Sequence, residues 1–341
     1  MYKYLTISKN KYKLYYKINS GICESTILYD RLTDSKIILN DVKDNFFVYK
    51  DNKNTHMIAV SNKNELIYMC FVNDNWQKFV ISKLNPKIEI KKIMIGVSNS
   101  RQNLFYSAKY EDELILVHCV LGNNARPETI DRLYDENFFV SGDFVYYSNQ
   151  NKEICKQNFS DGKPCIFTKI LNGNMPYIAS INETRYLVSI CDNNILINNE
   201  MISSDPYSEF PILQYDNNSV ILLWKSGDFL KYIPINKEKP QKPLRFLTGN
   251  KPPEIFVLSD GVFTKYFYGT LLNSSLRFFP NLNLSDYESN LSENNISSIK
   301  SSKINELNKI IFDLKKDIEI YKSQINKFKL IIDNIKKENW Y

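Results

Sequence analysis

The 341-residue chain is short of several things, and each shortage removes a class of protein. No stretch approaches 18 consecutive apolar residues, so a membrane-spanning helix is not expected. Glycine is scarce at 10, which excludes collagen-like and glycine-rich low-complexity chains. Histidine occurs twice, as His56 and His118. Both sit in apolar strand-like runs, "HMIAV" and "LILVHC", where a hydrogen-bonded structural role is expected over a catalytic one, and no catalytic residue is assigned. The six cysteines (Cys23, Cys70, Cys119, Cys155, Cys165 and Cys191) form no CxxC pair and fit no zinc spacing. They read as small buried hydrophobes in a reducing compartment. There is no GxSxG elbow, no GxxxxGK[ST] phosphate loop and no GxGxxG. Neither a cofactor nor a metal is expected, and the chain reads more as a binder than as an enzyme. Acidic pairs in "YEDEL" and "YDEN" are expected in solvated loops.

Charge is also low. Forty-four basic residues, only seven of them Arg, stand against 38 acidic ones, a net of +6. The basic groups are dispersed over the first 280 residues, so a nucleic-acid partner is not expected. The N-terminal "MYKYLTISKNKYKLYY" lacks an uninterrupted apolar core of the secretory kind, and a cytoplasmic location is expected. Abundant Asn, Lys, Ile and Tyr match the codon usage of an AT-rich genome, compatible with a spore-forming bacterium.

What is present is strand chemistry: 23 Tyr, 20 Phe and much Ile, all at home on pleated surfaces. One pattern recurs seven times: an apolar run, a polar turn with Asn or Asp, and a second apolar run. The turns centre on Asn10, Asp51, Asn99, Asp143, Asn182, Asp216 and Asp260, at intervals of 41, 48, 44, 39, 34 and 44 residues. One or two further short runs follow in most copies. Four short strands per 40 to 50 residues is the period of a propeller blade. The first run of each unit is expected to be the innermost strand. The last copy is the weakest and is expected to be completed by N-terminal residues. The fold expected is therefore all-β: a seven-bladed β-propeller over residues 1–279, with six blades as the alternative. The recurring turn acids are expected to serve turn chemistry alone; a ring around one channel mouth is the alternative. Trp76 and Trp224 read as packing or rim residues.

The fourth unit, "VSGDFVYYSNQNKEICKQNFSDGKPCIFTKI", resembles a blade of the Tyr-rich propellers of the YWTD, LDL-receptor-type group. Tyr146, Tyr147, Ile154, Asp161 and Gly162 carry the likeness over about 30 residues. It implies a propeller fold and transfers no activity.

Composition changes near Pro280. Residues 280–302 are rich in Asn, Ser and acidic groups and read as a linker. From Lys303 to Tyr341 the apolar period becomes three and a half. Ile304, Ile311, Ile318, Ile325 and Ile332 share one core position; Leu307, Leu314, Tyr321, Phe328 and Ile335 share the other. All ten are apolar, which predicts an α-helical coiled coil and oligomerisation, as a dimer or trimer or with a heterotypic helix. Ile310 and Ile331 widen the stripe. A helix folded back on the propeller wall and a membrane-surface helix are the alternatives. The expected function is a non-enzymatic scaffold: protein partners bind the propeller face, and the C-terminal helix multiplies it. The alternatives are a propeller that binds, or hydrolyses, a carbohydrate or small ligand at the channel mouth, and a structural component of a spore or particle coat.

Overall fold

In the computed structural model the chain divides into two units, Met1–Leu282 and Asn283–Tyr341. The structure describes residues 2–279, apart from 9–10, 29, 52, 123–125, 161–164, 182–183, 217–218, 236–242 and 247–251. The linker and the ten coiled-coil positions, Ile304 to Ile335, lie outside the described residues.

The described unit is built from 26 strands. The first four are β1 (Tyr2–Ser8), β2 (Lys11–Ile18), β3 (Gly21–Leu28) and β4 (Arg31–Asn40). The next sheet comprises β5 (Val42–Lys50), β6 (Thr55–Ser61), β7 (Glu65–Val72) and β8 (Asn75–Lys83). A seven-stranded sheet follows: β9 (Ile88–Ser98), β10 (Arg101–Tyr110), β11 (Glu113–Val120), β12 (Glu128–Ser141), β13 (Phe144–Asn149), β14 (Glu153–Asn158) and β15 (Cys165–Asn172). Two four-stranded sheets come next. One holds β16 (Asn174–Ile181), β17 (Thr184–Cys191), β18 (Asn194–Ile197) and β19 (Glu200–Ser204). The other holds β20 (Ser208–Asp216), β21 (Ser219–Ser226), β22 (Phe229–Pro234) and β23 (Leu244–Phe246). Last are β24 (Glu254–Ser259), β25 (Thr264–Leu272) and β26 (Ser275–Phe279).

The last three strands join the first four. β1 pairs with β24 in parallel, Tyr2 beside Ile255 and Leu5 beside Leu258. β26 meets β4 at Ser275 and Arg31. N-terminal residues therefore complete the last unit. The seven sequence copies coincide with seven antiparallel hairpins, from β1–β2 to β24–β25. Their lead strands pack in succession: β1 on β5, β5 on β9, β9 on β12, β12 on β16 and β16 on β20, while β20 touches β25.

This packing explains the sequence pattern. A lead hairpin is covered on both faces, so its strands read as unbroken apolar runs and not as alternation. All seven residues of β6 are buried, as is the "FFVY" of β5. Outer strands lose this cover: in β8 six of nine residues are exposed. Turn chemistry replaces the missing glycine. Asn73–Asp74, Asn99–Ser100, Asp192–Asn193, Asn198–Asn199 and Asn273–Ser274 each link two strands with both φ angles positive. That is the mirror-image two-residue turn that matches strand twist, and Asn and Asp tolerate it better than other side chains with a Cβ.

One expectation fails. "PETIDRLY" and "NFFVS" form a single 14-residue strand, β12, not two. The "YDEN" carboxylates consequently lie inside a strand and not in a loop, at a register break between Leu133 and Phe138. β12 serves β11 with its first half and β13 with its second, which joins two units into one sheet.

Candidate functional site

Five of the seven lead strands share an irregularity. Register breaks occur early in β5 (between Val42 and Phe46), β12 (Leu133 and Phe138), β16 (Asn174 and Tyr177) and β20 (Glu209 and Ile212). In β9 the register shift sets Ser107 opposite Lys92 and Ala108 opposite Ile90, leaving Lys91 out of step. Such bulges re-aim side chains at the rim of a closed structure. Two contain proline, which a bulge accommodates because no ladder hydrogen bond is lost. The preceding residues, Met175 and Phe210, have φ of 50° and 48°. Bulky side chains enter that region only under constraint.

Residues of the β12, β16 and β20 bulges line a cavity together with Lys92. Lys92 is 7% exposed, and its ammonium lies 5.5, 5.5 and 5.6 Å from the ring centres of Tyr2, Phe138 and Tyr266. Among the described residues Nζ makes no hydrogen bond and no ion pair within 4.0 Å. Burial pushes its pKa down to about 8, against the upward pull of Asp135 and Glu136. Burial likewise lifts Asp135 above the usual carboxylate range, while backbone N–H groups of Asn137 and Met175 and the Lys92 charge hold it back. The Asn137 N–H donates to Asp135 Oδ1 at 2.6 Å. Asp135 Oδ2 is buried and has no protein partner.

Below Lys92 the channel is filled by rings. Tyr266 stacks on Tyr2 at 5.8 Å and on Tyr177 at 5.5 Å, and meets the edge of Phe139 at 5.4 Å. Its hydroxyl donates to Met94 Sδ at 3.8 Å. Beside these rings lies a cavity of about 20 Å³, walled by Lys92, Asn137, Met175, Tyr177, Phe210 and Tyr266 among others. A volume of that order holds a single small polar group.

The residues singled out from sequence sit elsewhere. His56 Nε2 donates to Asp51 Oδ2 at 2.9 Å, and its Nδ1 accepts from the Tyr68 hydroxyl at 2.7 Å. The ring also stacks on Tyr49 at 4.7 Å. Burial lowers the His56 pKa, against Asp51. Burial opposes ionisation of Asp51 too. The N–H groups of Asn54 and Lys53 and the His56 ring outweigh it and hold the carboxyl below its ordinary value. His118, also buried, faces Asn103 Oδ1 at 2.9 Å and stacks on Phe105. Both histidines are internally satisfied.

Two of the turn acids, Asp51 and Asp260, are used by their own turns, and a third, Asp143, by a neighbouring strand. Asp51 accepts from the N–H groups of Lys53 and Asn54, and Asp260 from those of Val262 and Phe263. Asp143 accepts from Ser98 Oγ at 2.6 Å. The side chain of Asp216 lies outside the described residues. Cys23, Cys70, Cys119 and Cys155 are buried free thiols, and Cys191 is half-buried. Trp224 is wholly buried and donates Nε1–H to Asp205 at 2.8 Å. Asp205 accepts in addition from Lys231 at 2.7 Å, the Tyr207 N–H at 3.1 Å and Ser226 at 3.2 Å. Among the described residues no group of three or more His, Cys, Asp or Glu is placed to hold a metal ion. Sequence reasoning missed Lys92 and put Asp135, the Asp of "YDEN", in a solvated loop. The one available signal was a Lys pair interrupting the apolar run "IEIKKIMIGV".

No family model matches the chain, and no curated protein matches it. Solved structures do. The dihydro-heme d1 dehydrogenase NirN in complex with DHE aligns at a TM-score of 0.50 and 11% identity, over 79% of this chain and 60% of that one. The AfRom2 CNH domain gives 0.49 and 10%, over 77% and 88%. The six-bladed fucose-recognising lectin of Aleuria aurantia gives 0.44 and 10%, over 81% and 89%. At such identities a likeness concerns the fold alone. With the succession of packed lead strands and the joining of last unit to first, it makes this chain a β-propeller.

Proposed function

We propose that this protein is a non-enzymatic interaction scaffold. In this reading residues 1–279 form seven blades of YWTD-like character, each opened by one of the seven hairpins. Residues 280–302 are a linker. Residues 303–341 are a coiled coil that makes a dimer or trimer through Ile304 to Ile335. Protein partners bind the propeller faces, in the cytoplasm. The observation that supports the reading is the ring packing of Tyr2, Tyr177 and Tyr266 beside Lys92, where the cavity is only about 20 Å³, too small for a whole ligand and in keeping with recognition on the broad faces. Oligomerisation would raise avidity by about 10²- to 10⁴-fold where several sites engage together. The test is affinity capture with the full chain and with residues 1–279, followed by sizing of both. A shared set of captured proteins, retained more strongly by the full chain, is expected. Capture that is absent with both forms overturns the reading.

A second reading is favoured by one observation, the buried Lys92 ammonium at the cavity wall, which makes no hydrogen bond among the described residues. It is that the mouth binds a small polar ligand.

A further inference from the structure

We infer that β8 is a strand-addition site whose occupant is an extended peptide carrying two adjacent apolar residues followed by an acidic one. This deepens the scaffold reading above, on which it rests, by stating the chemistry of one partner. β8 is the last strand of its four-stranded sheet and pairs there with β7. Its outer edge therefore presents backbone N–H and C=O groups that the sheet does not use. From Asn75 to Val80 the register against β7 is unbroken, and the shift falls beyond Val80. That leaves a regular six-residue edge on which a further strand can form main-chain hydrogen bonds. β19 and β23, also last in their sheets, are only five and three residues long.

Side chains on this edge supply the rest. Phe79 and Val80 are 52% and 55% exposed. Phe79 ends a row of rings that crosses all four strands: Tyr49 to His56 at 4.7 Å, His56 to Tyr68 at 5.9 Å and Tyr68 to Phe79 at 6.2 Å. His56 is hydrogen-bonded to both Asp51 and the Tyr68 hydroxyl, which fixes the row. Trp76 pins the other face of β8, against Phe71 at 5.4 Å and Tyr15 at 6.2 Å. An aromatic anchor that is already ordered loses little freedom on binding. Charge then selects the partner. Lys78 and Lys83 are exposed on this strand, and neither forms an ion pair within 4.0 Å among the described residues. A lysine on a sheet edge disfavours a basic strand and favours one with a carboxylate opposite it. In an antiparallel ladder the residues opposite Val80, Phe79 and Lys78 follow in that order along the peptide, which gives apolar, apolar, acidic.

The test uses the full chain and two fluorescent peptides, Thr-Val-Tyr-Glu-Thr-Val-Thr and its twin with Lys in place of Glu. Binding is read by anisotropy, and hydrogen exchange over residues 75–80 by mass spectrometry. The acidic peptide is expected to bind saturably, about tenfold more tightly than its twin, and to slow exchange over 75–80. Phe79→Ser should weaken it about tenfold or more, as loss of an anchor does. Lys78→Glu should reverse the order of the two peptides. Lys87→Met, at an exposed position outside β8, should leave both unaltered. Equal binding of the two peptides, binding that leaves exchange over 75–80 unchanged, or no binding of either overturns the site. Affinity capture separates that failure from failure of the scaffold. Proteins captured equally by the native and Phe79→Ser chains keep the scaffold and remove β8 from it, whereas absence of capture overturns the scaffold itself.

Discussion

At the scale of single residues, glycine scarcity and buried charge set the terms. Positive-φ turns fall to asparagine, which tolerates them for want of a branched or bulky side chain. Asn199, at φ 73° in an exposed turn, should therefore be sensitive. Asn199→Ala should lower stability by about 1 kcal/mol and Asn199→Gly should not, as read by urea denaturation. Asp205 is a different case. It is 4% exposed and accepts hydrogen bonds from four donors, so Asp205→Ala strands the Trp224 indole and the Lys231 ammonium. A loss of about 3 kcal/mol or more is expected, with a change in near-ultraviolet circular dichroism from the Trp224 environment. Lys92 gives a pH signature. Its amine is held at about 8 when folded and titrates near 10.5 when unfolded. The unfolded chain thus carries the extra proton between these values, and stability rises with pH across that window. The full effect is roughly 3 kcal/mol. Subtracting the Lys92→Met profile removes the tyrosines, which titrate at higher pH. An identical slope for both proteins between pH 8 and 10 would remove the claim that burial holds the Lys92 amine below its ordinary value.

At the scale of elements, legibility followed burial. The seven lead hairpins were visible because strands covered on both faces must be apolar throughout, and because their turns need Asn, Asp or Gly. "NFFVYKDNKNTHMIAV" is β5–β6, and "EIFVLSDGVFTKYFYG" is β24–β25. The bulges were not visible. They hang on register, a relation between strands, and Met175 and Phe210 carry no local sign that their backbones turn left-handed. The site was missed for the same reason: Lys92 and Asp135 are polar letters in β9 and β12, and only the bulges turn them inward. The fusion of "PETIDRLY" with "NFFVS" was hidden because a break in apolar pattern and a break in a strand look alike. Close approach of elements is testable at Gly96 of β9. A Cβ there would lie 2.6 Å from Phe159 and 2.7 Å from Val140. Gly96→Val should cost about 1–3 kcal/mol through overpacking between neighbouring units, measured as a drop in Tm.

At the scale of the whole molecule, the repeat was legible as a period and its closure only as an expectation about the ends. The parallel pairing of β1 with β24 makes the first and last units one sheet. Removing residues 1–8 should thus unfold far more than one strand: cooperative thermal unfolding should be lost or fall by many degrees, as calorimetry would show. Removing 303–341 should do the reverse. The body should keep its Tm and elute as a monomer, while the full chain sizes as a dimer or trimer. A truncated chain that keeps the full oligomeric mass would defeat the assignment of assembly to the C-terminal segment.

Joining the two ends also imposes a delay during synthesis. Tyr2 leaves the ribosome 252 positions before Glu254, the first residue of the strand that β1 must meet. At ordinary elongation speeds that separation lasts on the order of ten to fifty seconds. For that interval the nascent ring has an open seam with an unsatisfied strand edge on each side, and sealing it is a post-assembly event that local hairpin formation cannot hasten.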